Sequence, residues 1–72
     1  MNNRISRVYV AIDDNRVIYI STALSEFVRA MKALITGVKS YSHYQEVFQN
    51  QDVIQHVDKI GKKYYFQRIE NS

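Results

Sequence analysis

Cysteine, proline and tryptophan are absent from this 72-residue chain, and glycine occurs only twice. Without cysteine, neither a disulfide nor a thiolate zinc site can form, and the redox compartment stays undetermined. Two histidines, His43 and His56, are too few for an all-histidine structural metal site. No apolar run approaches the ~20 residues that cross a bilayer. The opening Met1–Ile12 has arginines before apolar residues, but it lacks the continuous apolar core of about 7–15 residues and the small-residue cleavage site of a secretory signal. The expectation is a soluble, cytoplasmic protein with no membrane partner and no cofactor. Scarce glycine and absent proline also argue against disorder or long linkers.

What is present fits one small domain spanning residues 1–72. A chain this short removes only about 60% of its unfolded surface from water. Small scaffolds without staples rely on association, so a homodimer or a bound partner is expected. Ten Lys and Arg against seven Asp and Glu give a net charge of +3, an excess compatible with nucleic acid.

The clearest pattern is Leu24–Tyr41, where Leu24, Phe27, Val28, Met31, Leu34, Ile35, Val38 and Tyr41 recur at spacings of three and four. That spacing predicts one long amphipathic helix. Ser21 and Thr22 are its expected N-caps and Glu26 complements its positive end. Gly37 is read as a costly residue inside its last turns. No acid occurs from Phe27 to Gln45, which leaves Arg29, Lys32 and Lys39 on the polar face.

Around this helix the chain reads as two β-hairpins and a short second helix. Residues Ile5–Ile12 alternate, Asp13-Asp14-Asn15 offers turn chemistry, and Val17–Ile20 returns. A three-residue loop would pair Ile12 with Arg16, Val10 with Ile18 and Val8 with Ile20. That register gathers an aliphatic face and turns Tyr9 and Tyr19 outward. Ser42-His43-Tyr44-Gln45 has capping-box form and starts a helix expected over His43–Gln51, bent from the first near Ser40–Ser42. Val53–Val57 and Lys63–Ile69 form the last hairpin, with Gly61 in the turn; it pairs Asp58 with Lys62, His56 with Tyr64 and Ile54 with Phe66. The expected fold is α+β, in the order β-β-α-α-β-β.

Function is read from surface chemistry. Lys59, Lys62, Lys63 and Arg68 lie on the last hairpin, Arg4 and Arg7 on the first strand, and Tyr9, Tyr19 and Tyr65 are interleaved on expected outward faces. Cations neutralise phosphates and exposed rings stack on bases. The first expectation is a non-enzymatic module that binds nucleic acid, DNA in the first instance. Its contacts would be Arg29, Lys32 and Lys39 on the helix and Lys62, Lys63 and Arg68 on the hairpin. Within this reading, a helix-turn-helix with a wing would offer His43, Gln45, Gln49, Asn50 and Gln51 to base edges. Its expected bend holds no glycine, and its first helix is long for such a unit. The alternative is a protein-binding module, a homodimeric inhibitor or regulator of a larger protein of the mobile-element type.

Val8-Tyr9-Val10, Ile18-Tyr19-Ile20-Ser21 and Arg29 are similar to the hairpin and helix of GIY-YIG nucleases. That resemblance covers under half the chain. Arg7 and Ser21 stand where the family has glycine, and no metal-binding glutamate follows on a third helix. His56 and Asp58 share a strand face without a third partner. The chain therefore reads as having no catalytic residues.

Overall fold

The first hairpin turns on two residues. The structure, a computed structural model, describes residues 7–70; Arg4 and the start of the first strand at Ile5 lie outside the described residues. Asp14 and Asn15 have φ of 53° and 65°, the paired left-handed conformations of a type I′ turn. Strand β1 (Arg7–Asp13) enters that turn and β2 (Arg16–Ser21) leaves it. This corrects the expected three-residue loop: Asp13 pairs with Arg16 and Ile12 with Val17. A bulge then skips Ile18 and sets Ala11 opposite Tyr19 and Val10 opposite Ile20. Aspartate and asparagine visit positive φ more cheaply than most residues, and the bulge restores an aliphatic pair that the tight turn alone would mismatch.

Helix α1 (Leu24–Leu34) buries Leu24, Phe27, Val28 and Met31, the spacing of one helical stripe. Its N-cap is Ala23 rather than Ser21 or Thr22. The Ser21 hydroxyl instead folds onto that residue, accepting from Ala23 N–H at 3.1 Å and lying 3.1 Å from its carbonyl. The helix also ends earlier than expected. Ile35 is extended and Gly37 has φ of +80°. Three of the four residues Ile35-Thr36-Gly37-Val38 are β-branched, which lowers helix propensity, and Gly37 supplies the left-handed step out of the helix. Ile35 is buried and Val38 packs against the core, so the apolar spacing continued past the helix that it seemed to define.

Helix α2 (Tyr41–Val47) starts two residues before the expected His43 and stops short of Gln51. Ser40 caps it, its hydroxyl accepting from His43 N–H at 3.4 Å; Ser42 is inside the first turn. Strands β3 (Val53–Val57) and β4 (Lys63–Glu70) follow. Here the expected register holds, with His56 opposite Tyr64 and Ile54 opposite Phe66. Gly61 takes φ of +89° and Asp58 N–H donates to the Lys62 carbonyl at 3.0 Å. The order is β-β-α-α-β-β, in one antiparallel sheet arranged β2-β1-β4-β3.

Both helices pack on the same face of that sheet. The Tyr9 ring is 6.1 Å from Phe27 and 5.5 Å from Phe48, while Phe66 is 5.5 Å from Phe27 and 5.9 Å from Tyr44. The side of the first hairpin that meets the helices is therefore the tyrosine side, and this corrects the outward placement of Tyr9 and Tyr19. Tyr9 is buried and Tyr19 is partly so, 6.1 Å from Phe27. Only Tyr65 remains outward, as expected. Large rings fill the space under two helices better than valines, and they dominate core energetics.

The aliphatic side is consequently the uncovered one. Alternation places Val8, Val10 and Ile12 there, and the ladder sets Ile20, Gln67 and Val53 in line with Val10, which its neighbours bury to 5% exposure. Ile20 is 61% exposed, Val57 49%, Val53 48% and Ile69 47%. A half-solvated antiparallel sheet ordinarily turns polar residues outward. This one turns out mainly valine and isoleucine.

Candidate nucleic-acid interface

The segment between the helices is held in place by three hydrogen bonds from different elements. The Thr36 carbonyl accepts from His56 Nε2 at 2.9 Å, which assigns the ring proton to that nitrogen. The Thr36 hydroxyl accepts from Lys59 N–H at 3.2 Å, and Lys39 N–H donates to the Tyr44 phenol at 3.2 Å. His56 is buried and stacked on Phe66 at 5.6 Å and 16°, so its role is to tie β3 to this turn. Gly37 lies beside that imidazole, yet a Cβ there would sit 3.8 Å from His56 Cε1, an ordinary contact. Glycine is needed at 37 for its positive φ and not for room.

Helix α1 is eleven residues long, and the connection to α2, residues 35–40, contains Gly37; it is longer than the roughly 3–4 residues usual in a helix-turn-helix. On α2, Tyr44 faces the core, while Ser42, His43, Gln45 and Glu46 are exposed. Comparison with protein-family models, curated proteins and solved structures finds no match.

The cations divide into groups. Lys32 and Lys59 line one groove with Thr36, Gly37 and Val38 at the C-terminal end of α1, and Lys39 is the next residue in the chain. Arg29 is exposed one turn earlier on α1. The ion pairs among the described residues involve Arg7, Lys62 and Arg68 and none of these four. The last hairpin thus brings Lys59 beside Lys32 rather than the expected Lys62, Lys63 and Arg68. Lys59 stood in the basic cluster of the sequence, but only the hydrogen bond across to Thr36 distinguishes it from its neighbours.

Those three are placed elsewhere. Lys62 pairs with Asp13 at 2.9 Å and lies 5.3 Å from the Tyr64 ring; the Asp13 carboxylate holds its pKa above the ordinary lysine value. Lys63 follows on β4, where alternation turns it to the uncovered sheet face. Arg68 is on the helix side, roughly 17 Å further along the strand than Lys63. Its guanidinium pairs with Asp52 at 2.8 Å, and its Nε–H has no acceptor among the described residues. Arg68 and Arg7 line a second cleft with Thr22, Tyr41, Gln45 and Gln49 at the N-terminal end of α1. Arg7 is in turn held protonated by Tyr9 and by Glu70, its partner at 3.0 Å.

Helix α2 follows Lys39 after Ser40, and its Tyr41 and Gln45, with Gln49 just past its end, line the cleft of Arg7 and Arg68.

The phenol that braces Lys39 also gives the fold an alkaline limit. Burial pushes the Tyr44 pKa up from its ordinary value, and the hydrogen bond from Lys39 offsets part of that rise. An unfolded tyrosine loses its proton near about pH 10, so the folded chain binds more protons above that point. Stability from the buried neutral phenol is full below about pH 10 and falls as pH climbs through the folded value. Urea midpoints followed from about pH 8 to about pH 11 should drop more steeply for the wild type than for Tyr44→Phe. Parallel curves would show that Tyr44 does not set this limit.

Proposed function

We propose that this chain is a small, cytoplasmic, non-enzymatic nucleic-acid-binding module that presents α2 to the major groove of duplex DNA. The observation that carries the reading is the braced α1–turn–α2 unit, whose short polar helix follows the cations Lys32 and Lys39 and the nearby Lys59, which make no ion pair among the described residues. In this reading the three lysines contact phosphates, with Arg29 behind them. The exposed residues in the second half of α2 meet base edges: Gln45 suits adenine, and Glu46 suits the exocyclic amine of cytosine. The β3–β4 tip serves as a short wing through Lys59. No helix among the described residues is long and apolar enough to cross a membrane.

Labelled duplex and single-stranded DNA titrated at rising salt provide the test. Three phosphate contacts make log K fall against log salt with a slope of about −3. Combining Lys32→Ala, Lys39→Ala and Lys59→Ala should remove most of that slope, while combining Lys62→Ala with Lys63→Ala should leave it. Gln45→Ala should weaken discrimination between duplex sequences more than it weakens average affinity. Absence of duplex binding at low salt, or a slope indifferent to the triple substitution, would sink the reading.

The alternative, a protein-binding module, is favoured by a different observation, the uncovered aliphatic face of the sheet.

A further inference from the structure

We infer that the uncovered face of the β2-β1-β4-β3 sheet is the binding surface for a second copy of this chain. Its interior is uncharged: Val53 and Ile69 flank Gln67, Ile20 flanks a Val10 that its neighbours already bury, and the cations Arg16, Lys62 and Lys63 lie at the hairpin end. An anionic partner gains little from such a face, whereas an identical uncharged face loses no charge hydration against it. Contiguous exposed apolar surface of this kind marks association sites.

Size supports the same occupant. Four strands spaced about 4.8 Å apart and some six residues long project an area of roughly 400 Å². Two such faces together give about 800 Å² before the relief of upright side chains is added, which approaches the ~1,200 Å² at which specific interfaces begin. Stacked sheets pack about 10 Å apart through interdigitating side chains. A two-fold axis through the face makes the contact isologous, so each substitution there acts twice. The dimer buries the surface that a 72-residue chain cannot cover by itself. The helices are on the other side of each sheet, so α2 stays free, and association and DNA binding can fail independently.

Sedimentation equilibrium over a concentration series tests the proposal on the full chain. The mass is expected to rise from 8.5 kDa to twice that value. Ile69→Glu should hold it at the monomer mass, and so should Val57→Glu, which gains an attractive cross-strand neighbour in Lys63 and so preserves the monomer fold. Far-UV circular dichroism of both variants should match the wild type. Lys32→Glu, on the helix side, should leave the mass curve unchanged. A wild-type chain that stays monomeric throughout the series, or a dimer indifferent to folded Ile69→Glu and Val57→Glu, overturns the proposal.

Discussion

Replacing Phe66 by alanine is expected to cost about 3–5 kcal/mol and to leave a large fraction of the chain unfolded at 25 °C. Phe66 is 0% exposed and sits on β4, between β1 and β3. Its ring touches every part of the core at once: Phe27 of α1 edge-on, Tyr44 of α2, and His56 of β3. Truncation loses the transfer free energy of the ring and leaves a cavity whose walls belong to three different elements, so the site cannot collapse by moving one of them. Native domains are stable by about 0.05–0.15 kcal/mol per residue, roughly 4–11 kcal/mol at this length. The loss is therefore comparable with the whole. A urea titration is the direct measurement, and a midpoint change equivalent to less than about 1 kcal/mol would contradict this account of the core.

His56→Ala is expected to cost about 2–3 kcal/mol, combining a lost buried side chain with a lost hydrogen bond. The two contributions can be separated. His56→Phe keeps a ring against Phe66 but gives the Thr36 carbonyl no donor, so it should recover part of the loss and not all. His56→Gln offers an N–H without the ring. Amide exchange reports the mechanism: in the phenylalanine variant, the Gly37 to Lys39 amides should exchange faster while those of β4 stay protected. If both variants matched alanine, or if phenylalanine were neutral, the bond between His56 and Thr36 would not be what braces the turn.

Much of the architecture was legible in local pattern. The element order follows from alternation at Val8–Ile12, helical spacing from Leu24, and alternation again at Val53. The last hairpin was legible in detail because Gly61 singles out one turn and aromatic–aliphatic pairing agrees with it. The first hairpin was not, since both Asp14 and Asn15 can adopt positive φ and a bulge is invisible to strict alternation. The inverted sheet has a related cause. Both sides of β1 are apolar, so periodicity identified a strand without saying which side was inside. Ring size decided that, through Phe27 and Phe48. Helix α1 was overextended because Ile35 and Val38 are core residues held by irregular backbone, and spacing alone cannot separate them from a helical stripe.

The candidate interface was legible by residue type and less so by place. Arg29, Lys32 and Lys39 are exposed on the helical layer where the acid-free stretch put them. Lys62 meets the carboxylate of Asp13, which lies far away in sequence and cannot be paired by inspection, whereas Arg68 meets Asp52, which the register of the last hairpin sets opposite it. Lys63 was lost to strand alternation. Lys59 was distinguished by a tertiary hydrogen bond to Thr36, for which a single sequence carries no signal.

The pairing of β1 with β4 has a consequence for the order of events during folding. It joins Arg7 to Glu70 and Val8 to Ile69, residues on the order of sixty positions apart, and loop closure over that length has to precede most of the gain in contacts. Each hairpin can form in microseconds, but a lone two-stranded ribbon is marginal in water. The rate-limiting encounter is then between two preformed hairpins with the helical segment strung between them. Non-local pairing of this kind places folding in the slower, millisecond-to-second range, and until the central strands meet, the aliphatic sides of both ribbons stay available to other chains.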